Sequence, residues 1–293
     1  KIFSNFKEMI SQNKTIIMQK ILVPTDFSDN SKAGLRFAIQ LASQHPYQLT
    51  FFHCYHMNQL TSSDSKEESD DKSGVDRLQT QLNNFVDTVY NELNATQDST
   101  TCIVQSSVAP DASIRDYATK NGYSYICIST RGAGKFDRVF GTNTSNLISF
   151  SDVPVIAVPK FYTAKKITDI IYASDLNNLE VELVKVVDFA KPLEAEVELL
   201  HITSPIELET NSETIEAAVK TFSKYDIKLH VEKPNPSESL VSNLEAAIEK
   251  SNPSMMIMFT QQNRTFFEKL FLSSKTEEFS FNLKVPLLVF SKL

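Results

Sequence analysis

Lys20-Ile21-Leu22-Val23-Pro24-Thr25-Asp26 and Asp169-Ile170-Ile171-Tyr172-Ala173-Ser174-Asp175 are two versions of one pattern, an apolar run that ends in an aspartate, 149 positions apart. A second pair follows in the same order. Ala42 to His53, ASQHPYQLTFFH, aligns with Ala190 to His201, AKPLEAEVELLH, at an offset of 148. A third pair closes each copy on a Val-Pro strand, VPVIAVP from Val153 and VPLLVFS from Val285, at an offset of 132. Three matches in one order mark an internal duplication, and the shorter last offset predicts that the second copy has lost residues in its later part.

Within each copy, short apolar runs alternate with stretches of helical periodicity. The first copy reads as strands near 20–24, 49–54, 101–106, 124–128 and 154–158, with helices near 30–44, 74–95, 111–121 and 142–150. Ser28 and Asp29 are candidate caps for the first helix and Asp111 for the third. The second copy reads as strands near 168–173, 196–201, 227–231, 254–259 and 286–290, with helices near 177–191, 211–224, 237–251 and 273–281. Unbroken apolar strands belong to parallel sheets covered on both faces. Repeated βαβ units dictate right-handed crossovers. The expected fold is therefore α/β, two doubly wound five-stranded parallel-sheet domains in tandem. The expected boundaries are 1–17 for an N-terminal extension, 18–162 for the first domain and 163–293 for the second.

Composition narrows the classes. The chain has 293 residues, 41% of them hydrophobic and 22% charged, with a net charge of -7, so it carries no overall basic field for nucleic acid or an anionic membrane. Much of the acid lies between Asp64 and Asp76, which reads as a solvated loop. Cys54, Cys102 and Cys127 are an odd number without CxxC spacing. They read as reduced thiols in a cytoplasmic protein and argue against a zinc site. No run of about 18 apolar residues is present to span a bilayer. Residues 1–17 lack a signal-peptide core and cleavage site, which leaves an upstream extension or a short docked helix.

Ligands of doubly wound sheets sit beyond the carboxyl ends of the strands where the strand order reverses. Two loops of the first copy fall there. One is Pro24 to Asp29, PTDFSD. The other is Ser129 to Thr144, STRGAGKFDRVFGTNT, which holds three of the six glycines of the chain. Gly132 and Gly134 would let main-chain amides converge on an anion. Gly141-Thr142-Asn143-Thr144 opens a helix whose first N–H groups are unpaired and carry partial positive charge. Thr142 and Thr144 add hydroxyls, and Arg131, Lys135 and Arg138 add cations. Asp26 is placed to accept from an adenine amino group or a ribose. The competing reading is a tight loop and a helix cap with no ligand.

These motifs resemble those of the universal stress protein family. That family combines a V-P-x-D-x-S element after its first strand, a G-x2-G-x9-G-[S/T] loop before its last helix and a closing Val-Pro-Val strand. Here the elements are VPTDFSDNS, S-x2-G-x8-G-T and DVPVIAVPK, in that order, and the similarity to tandem members runs from Lys20 to the C-terminus. The resemblance implies a stress-response sensor or regulator that binds ATP or a related adenine nucleotide, with Mg2+ accompanying it. It implies adenine and ribose contacts from Pro24, Thr25, Asp26 and the backbone near Cys54. It implies phosphate contacts from Arg131, Gly132, Gly141, Thr142, Asn143 and Thr144. Ser129 stands where the family has its first Gly, and the spacer is one residue short, with Gly134 available to compensate. The implied partners are the nucleotide, a protein partner of unknown kind and a homodimer. In a tandem chain the dimer contact can form internally, near 153–158 and 285–290.

The second copy departs further. After its fourth strand it reads TQQNRTFFEK from Thr260, without glycine, so Asp175 has no phosphate loop beside it and this copy is expected to bind no ATP. His53, Cys54 and His56 offer metal-binding atoms, but the repeat of His53 as His201 favours a structural role. No base or nucleophile is positioned for catalysis. A weak ATPase would need Asp26 or Asp137 near a metal and phosphates. The alternative to a nucleotide sensor is a nucleotide-free interaction or scaffold module of the same fold.

Overall fold

The structure, a computed structural model, describes residues 18–57, 71–98, 100–130, 142–176, 178–202, 217, 220, 226–260 and 284–291. The expectations for residues 1–17, for most of the 211–224 helix and for the 273–281 helix lie outside the described residues.

The first half alternates strands β1 (Gln19–Pro24), β2 (Tyr47–Tyr55), β3 (Thr100–Ser106), β4 (Tyr125–Ser129) and β5 (Val155–Val158) with helices α1 (Lys32–Gln44), α2 (Asp71–Leu93), α3 (Pro110–Lys120) and α4 (Thr142–Phe150). The second half has strands β6 (Asp169–Ala173), β7 (Glu196–Ile202), β8 (Lys228–Glu232), β9 (Met255–Phe259) and β10 (Leu287–Phe290). Among its described residues it has helices α5 (Leu179–Ala190) and α6 (Leu240–Ser251). The elements fall within a few residues of those expected.

All ten strands form one sheet in the order β3-β2-β1-β4-β5-β10-β9-β6-β7-β8. Read outward from the centre, each half has the same order, and every neighbouring pair within a half is parallel. The halves meet where β5 pairs antiparallel with β10, Ala157 opposite Leu287, Ile156 opposite Leu288 and Val155 opposite Val289. Antiparallel pairing is what a pseudo-twofold relation between two like strands demands.

The burial pattern follows this order. The central strands VIAV (β5), LLVF (β10) and MMIMF (β9) are buried at every position, as strands covered on both faces must be. The outermost strands β3 and β8 are only partly buried. The two hydrophobic cores lie on opposite faces, and both cross the junction. One packs Phe37 and Leu41 of α1 and Leu183 and Phe189 of α5 over the sheet. The other packs Leu147 of α4 and Leu244 of α6 beneath it. Phe189 meets Tyr125 of the other half edge-on, with ring centroids 5.5 Å apart.

The connection between halves is pinned where it enters β6, by one side chain from each half. The Gln44 side chain grips the backbone of Ile167, accepting from its N–H at 2.7 Å and donating to its carbonyl at 3.0 Å. Ser254 Oγ accepts from Thr168 N and Asp169 N and donates to Asp169 O.

Two expectations are corrected, the first by strand register. Thr50 corresponds to Glu198, 148 positions later, whereas their cross-strand partners Thr101 and Lys228 are only 127 apart. The second copy is therefore shortened between its second and third strands, where the first copy carries its acidic stretch, and not in its later part. Helix capping also differs. The N-cap of α1 is Ser31, and Ser28 acts one step earlier, its Oγ accepting from Ser31 N at 3.2 Å. For α3 the N-cap is Ala109. Pro110 begins that helix, and Asp111 lies in the first turn, where a carboxylate is favourably placed against the helix dipole.

Leu288 is fully buried in the strand that joins the halves. Leu288→Ala is expected to cost about 2–5 kcal/mol. Urea denaturation should also show both halves unfolding together. A loss below about 1 kcal/mol would contradict the central position assigned to β10.

Candidate functional site

The strand order reverses at β1, which lies between β2 and β4, so the loops leaving β1 and β4 diverge and open a crevice at their carboxyl ends. Pro24 ends β1, and the chain stays paired for one more residue, Thr25 N donating to Phe52 O at 2.9 Å. The buried Thr25 hydroxyl then shapes the loop. It lies 2.8 Å from Ser31 Oγ and accepts from Phe27 N at 3.2 Å. Phe27 takes φ 61, a left-handed conformation that a side chain adopts only where neighbours hold it. Its ring lies on His53, centroids 4.1 Å apart, and edge-on to Phe85 at 5.7 Å.

His53 anchors this corner from β2. Its Nδ1 is 2.8 Å from Thr25 O. A carbonyl only accepts, so Nδ1 carries the hydrogen. Burial lowers the His53 pKa against the opposing pull of the Thr25 carbonyl and the Asp26 charge, which favours a neutral ring. That fits a structural histidine. Among the described residues no group of three His, Cys, Asp or Glu side chains is arranged to hold a metal ion.

Asp26 projects into solvent beyond this corner, and its Oδ1 accepts from Ser28 N at 3.1 Å and Ser28 Oγ at 2.6 Å. Cys54 points its thiol away from the crevice toward α3, where Sγ is 3.8 Å from Pro110 O. Only its main chain, near the end of β2, borders the corner.

From β4, Ser129 joins three elements. Its Oγ donates to Asn30 O at 2.6 Å, and its carbonyl accepts from Thr144 Oγ1 at 3.0 Å. The β1–α1 loop and the first turn of α4 are thereby drawn to the end of one strand. A close helix approach makes this possible: a Cβ added to Gly34 of α1 would lie 3.1 Å from Ser129 N and 3.4 Å from Ile128 C.

At the start of α4, Thr142 and Asn143 are exposed while Thr144 is buried. The first turn carries no acidic residue, and its leading amides have no intrahelical acceptor, a combination that suits an anion. Thr144 departs from expectation in one respect. Its hydroxyl points inward and is committed to Ser129 O. Arg131, Gly132, Gly134 and Gly141 lie outside the described residues. The crevice thus gathers Pro24, Thr25, Asp26, Ser129, Thr142, Asn143 and the Thr144 backbone. Ser31, Asn30, Gly34 and Phe27 support them, and sequence reading did not single these out.

The second half repeats the corner almost atom for atom. Ser174 N donates to Leu200 O at 3.0 Å, Leu176 N donates to Ser174 Oγ at 3.0 Å, Leu176 has φ 65, and His201 Nδ1 is 2.9 Å from Ser174 O. The fourth strand differs. Thr130 N donates to Val158 O and Thr260 N to Phe290 O, so Phe259 occupies the place of Ser129. Phe259 is buried, stacks on Phe290 at 4.9 Å and meets Tyr172 edge-on at 5.8 Å. Beneath them Tyr172 donates a short hydrogen bond to the buried Glu182. Of the loop that follows β9, only Thr260 is described.

Residues 18–159 match the model of the Universal stress protein family. No curated protein matches the sequence. Among solved structures, the chain is similar to a universal stress protein from Archaeoglobus fulgidus DSM 4304, with 17% identity and a TM-score of 0.67 over 93% of this chain and 98% of that one. It is also similar to a putative universal stress protein from Pseudomonas aeruginosa UCBPP-PA14, with 16% identity and a TM-score of 0.58 over 95% of each chain. At such identities the likeness is one of fold.

Burial pushes the Cys54 and Cys102 thiols up to about 11. With so little thiolate, both should react with iodoacetamide near pH 8 about a hundredfold more slowly than an ordinary thiol. Rapid labelling of either, read by peptide mass spectrometry, would contradict the packing described here.

Proposed function

We propose that this chain is a universal stress protein of the tandem type, with an N-terminal extension over 1–17 and domains over 18–162 and 163–293. Its first half binds ATP or a related adenine nucleotide as a sensor or regulator. The observation that carries this reading is the junction at Ser129. The Ser129 hydroxyl holds the Asp26 loop and the Ser129 carbonyl holds Thr144 in the first turn of α4, both at one strand end. A nucleotide there would set its base and ribose against Pro24, Thr25, Asp26 and the main chain near Cys54. Its phosphates would lie on the amides of residues 142–144 and on the glycine-bearing segment with Arg131, Gly132, Gly134 and Gly141. Mg2+ would accompany the phosphates. Binding would stabilise the first half and alter the surface presented to a protein partner.

The second half is proposed to be a structural partner. It retains the corner built by Ser174, Leu176 and His201, but Phe259 stands where the first half has Ser129. An aromatic stack occupies that level of the crevice and offers no polar group to a ribose.

A second reading is a scaffold that takes no nucleotide. It is favoured by the internal commitment of the Ser129 and Thr144 hydroxyls. Thermal unfolding of nucleotide-free protein separates the two. At a hundredfold excess over Kd, ATP should raise the melting temperature by about 5 °C. Asp26→Ala and Gly132→Val should each remove the shift. An unchanged melting temperature in folded, nucleotide-free wild-type protein would leave the scaffold reading.

A further inference from the structure

The outermost strand of the second half carries a charge arrangement that the first half lacks. His230 of β8 stands between two carboxylates, Nδ1 2.7 Å from Glu198 Oε1 on β7 and Nε2 2.7 Å from Glu232 Oε2 on β8. Lys250 of α6 reaches Glu232 Oε2 at 3.3 Å. Lys228, two residues before His230, pairs with Glu196 at 2.6 Å. Register equates Glu198, His230 and Glu232 with Thr50, Ile103 and Gln105 of the first half, none of them charged. The fold therefore does not require this cluster.

Proton counting gives the cluster its meaning. Ionised carboxylates only accept hydrogen bonds, and imidazole donates from both nitrogens only when protonated. Two contacts of 2.7 Å therefore need one proton held by Glu198, His230 and Glu232 together, as an imidazolium or as a carboxyl that donates to the ring. With the proton present, Glu196, Glu198 and Glu232 balance Lys228, Lys250 and His230, with Asp226 close by on the approach to β8. Without it, a nitrogen lone pair faces a carboxylate oxygen, and the group carries surplus negative charge. Among the described strands, β8 is held by β7 alone. It is therefore the element that yields.

We propose that Glu198, His230 and Glu232 form a proton-operated latch that fastens the edge strand β8 to β7 and α6. The latch is closed when the cluster holds its shared proton and loosens when a rise in pH removes it. On the acid side, burial tends to raise the Glu232 carboxyl, but the hydrogen bonds from His230 and Lys250 outweigh it and hold the group below its ordinary range. A depressed carboxyl contributes stability above its unfolded pKa and loses it as pH falls through the folded one. Acid therefore weakens the latch through Glu232, and loss of the shared proton weakens it at higher pH.

Hydrogen exchange of the full chain, followed by mass spectrometry at about pH 6 and pH 8.5 and corrected for intrinsic exchange, reads the latch through peptides spanning 226–234. The population of open β8 should rise on the order of tenfold at the higher pH, with β1 and β4 unchanged. His230→Gln should remove the pH dependence. Protection of β8 that is equal at both pH values, or equally pH-dependent in His230→Gln, would overturn the proposal. Should that variant fail to fold, ring nitrogen shifts of His230 in the unaltered chain decide. A protonated ring, or a ring sharing a carboxyl proton, near pH 6 supports the latch, and a neutral ring without a shared proton overturns it.

Discussion

Three residues of β5 paired with three of β10 hold the molecule in its form. Each half alone would end in a fully apolar strand with one row of unpaired backbone groups, which is the arrangement most prone to join another edge. Setting the two edges against each other satisfies both rows at once. It also makes both cores continuous, so that Phe37, Phe189 and Leu288 belong to one packed layer. The linker is fixed on the same principle, with the Gln44 amide standing in for a strand neighbour of Ile167.

Duplication explains why the halves share a corner, and later divergence explains why they differ around it. Thr25 and Ser174, Phe27 and Leu176, and His53 and His201 solve one problem twice: how to leave a buried parallel strand and turn toward a helix that starts at Lys32 in one half and Leu179 in the other. A hydroxyl, a left-handed residue and a buried histidine bonded to a strand-end carbonyl are the shared answer. One difference between the halves lies at the end of the fourth strand, Ser129 in one and Phe259 in the other. A small hydroxyl residue there links the strand to two loops, whereas a phenylalanine packs into the core and closes that level. Functional asymmetry in a pseudo-symmetric chain can thus rest on side-chain size at one register position.

Much of this was legible in the sequence because it is written in periodic apolar runs. The strands, the repeat and the parallel sheet follow from Val, Ile, Leu and Phe spacing, and the central pairing was implied only by the family resemblance. Details that depend on competition among similar polar residues were not legible. Ser28, Asp29 and Ser31 are all good caps, and only packing decides that Ser31 sits at the boundary. The offset of the last repeat shows that residues are missing but not where; strand register places the gap between the second and third strands. Thr144 reads as a ligand-facing hydroxyl because it opens a helix, and its inward turn depends on the carbonyl of Ser129 lying within reach. The Glu198–His230–Glu232 cluster was hidden because its members are far apart in sequence and meet only across two strands.

In the proposed nucleotide site, main-chain amides at the start of α4 receive the phosphates. Amide chemical-shift mapping during addition of ATP to the nucleotide-free chain tests it most directly. The account predicts large changes at residues 142–144 and at Gly132 and Gly134, saturating at one equivalent, with residues 259–260 unmoved. Amides of 142–144 that stay in place while ATP binds elsewhere, or that do not respond at all, would contradict it.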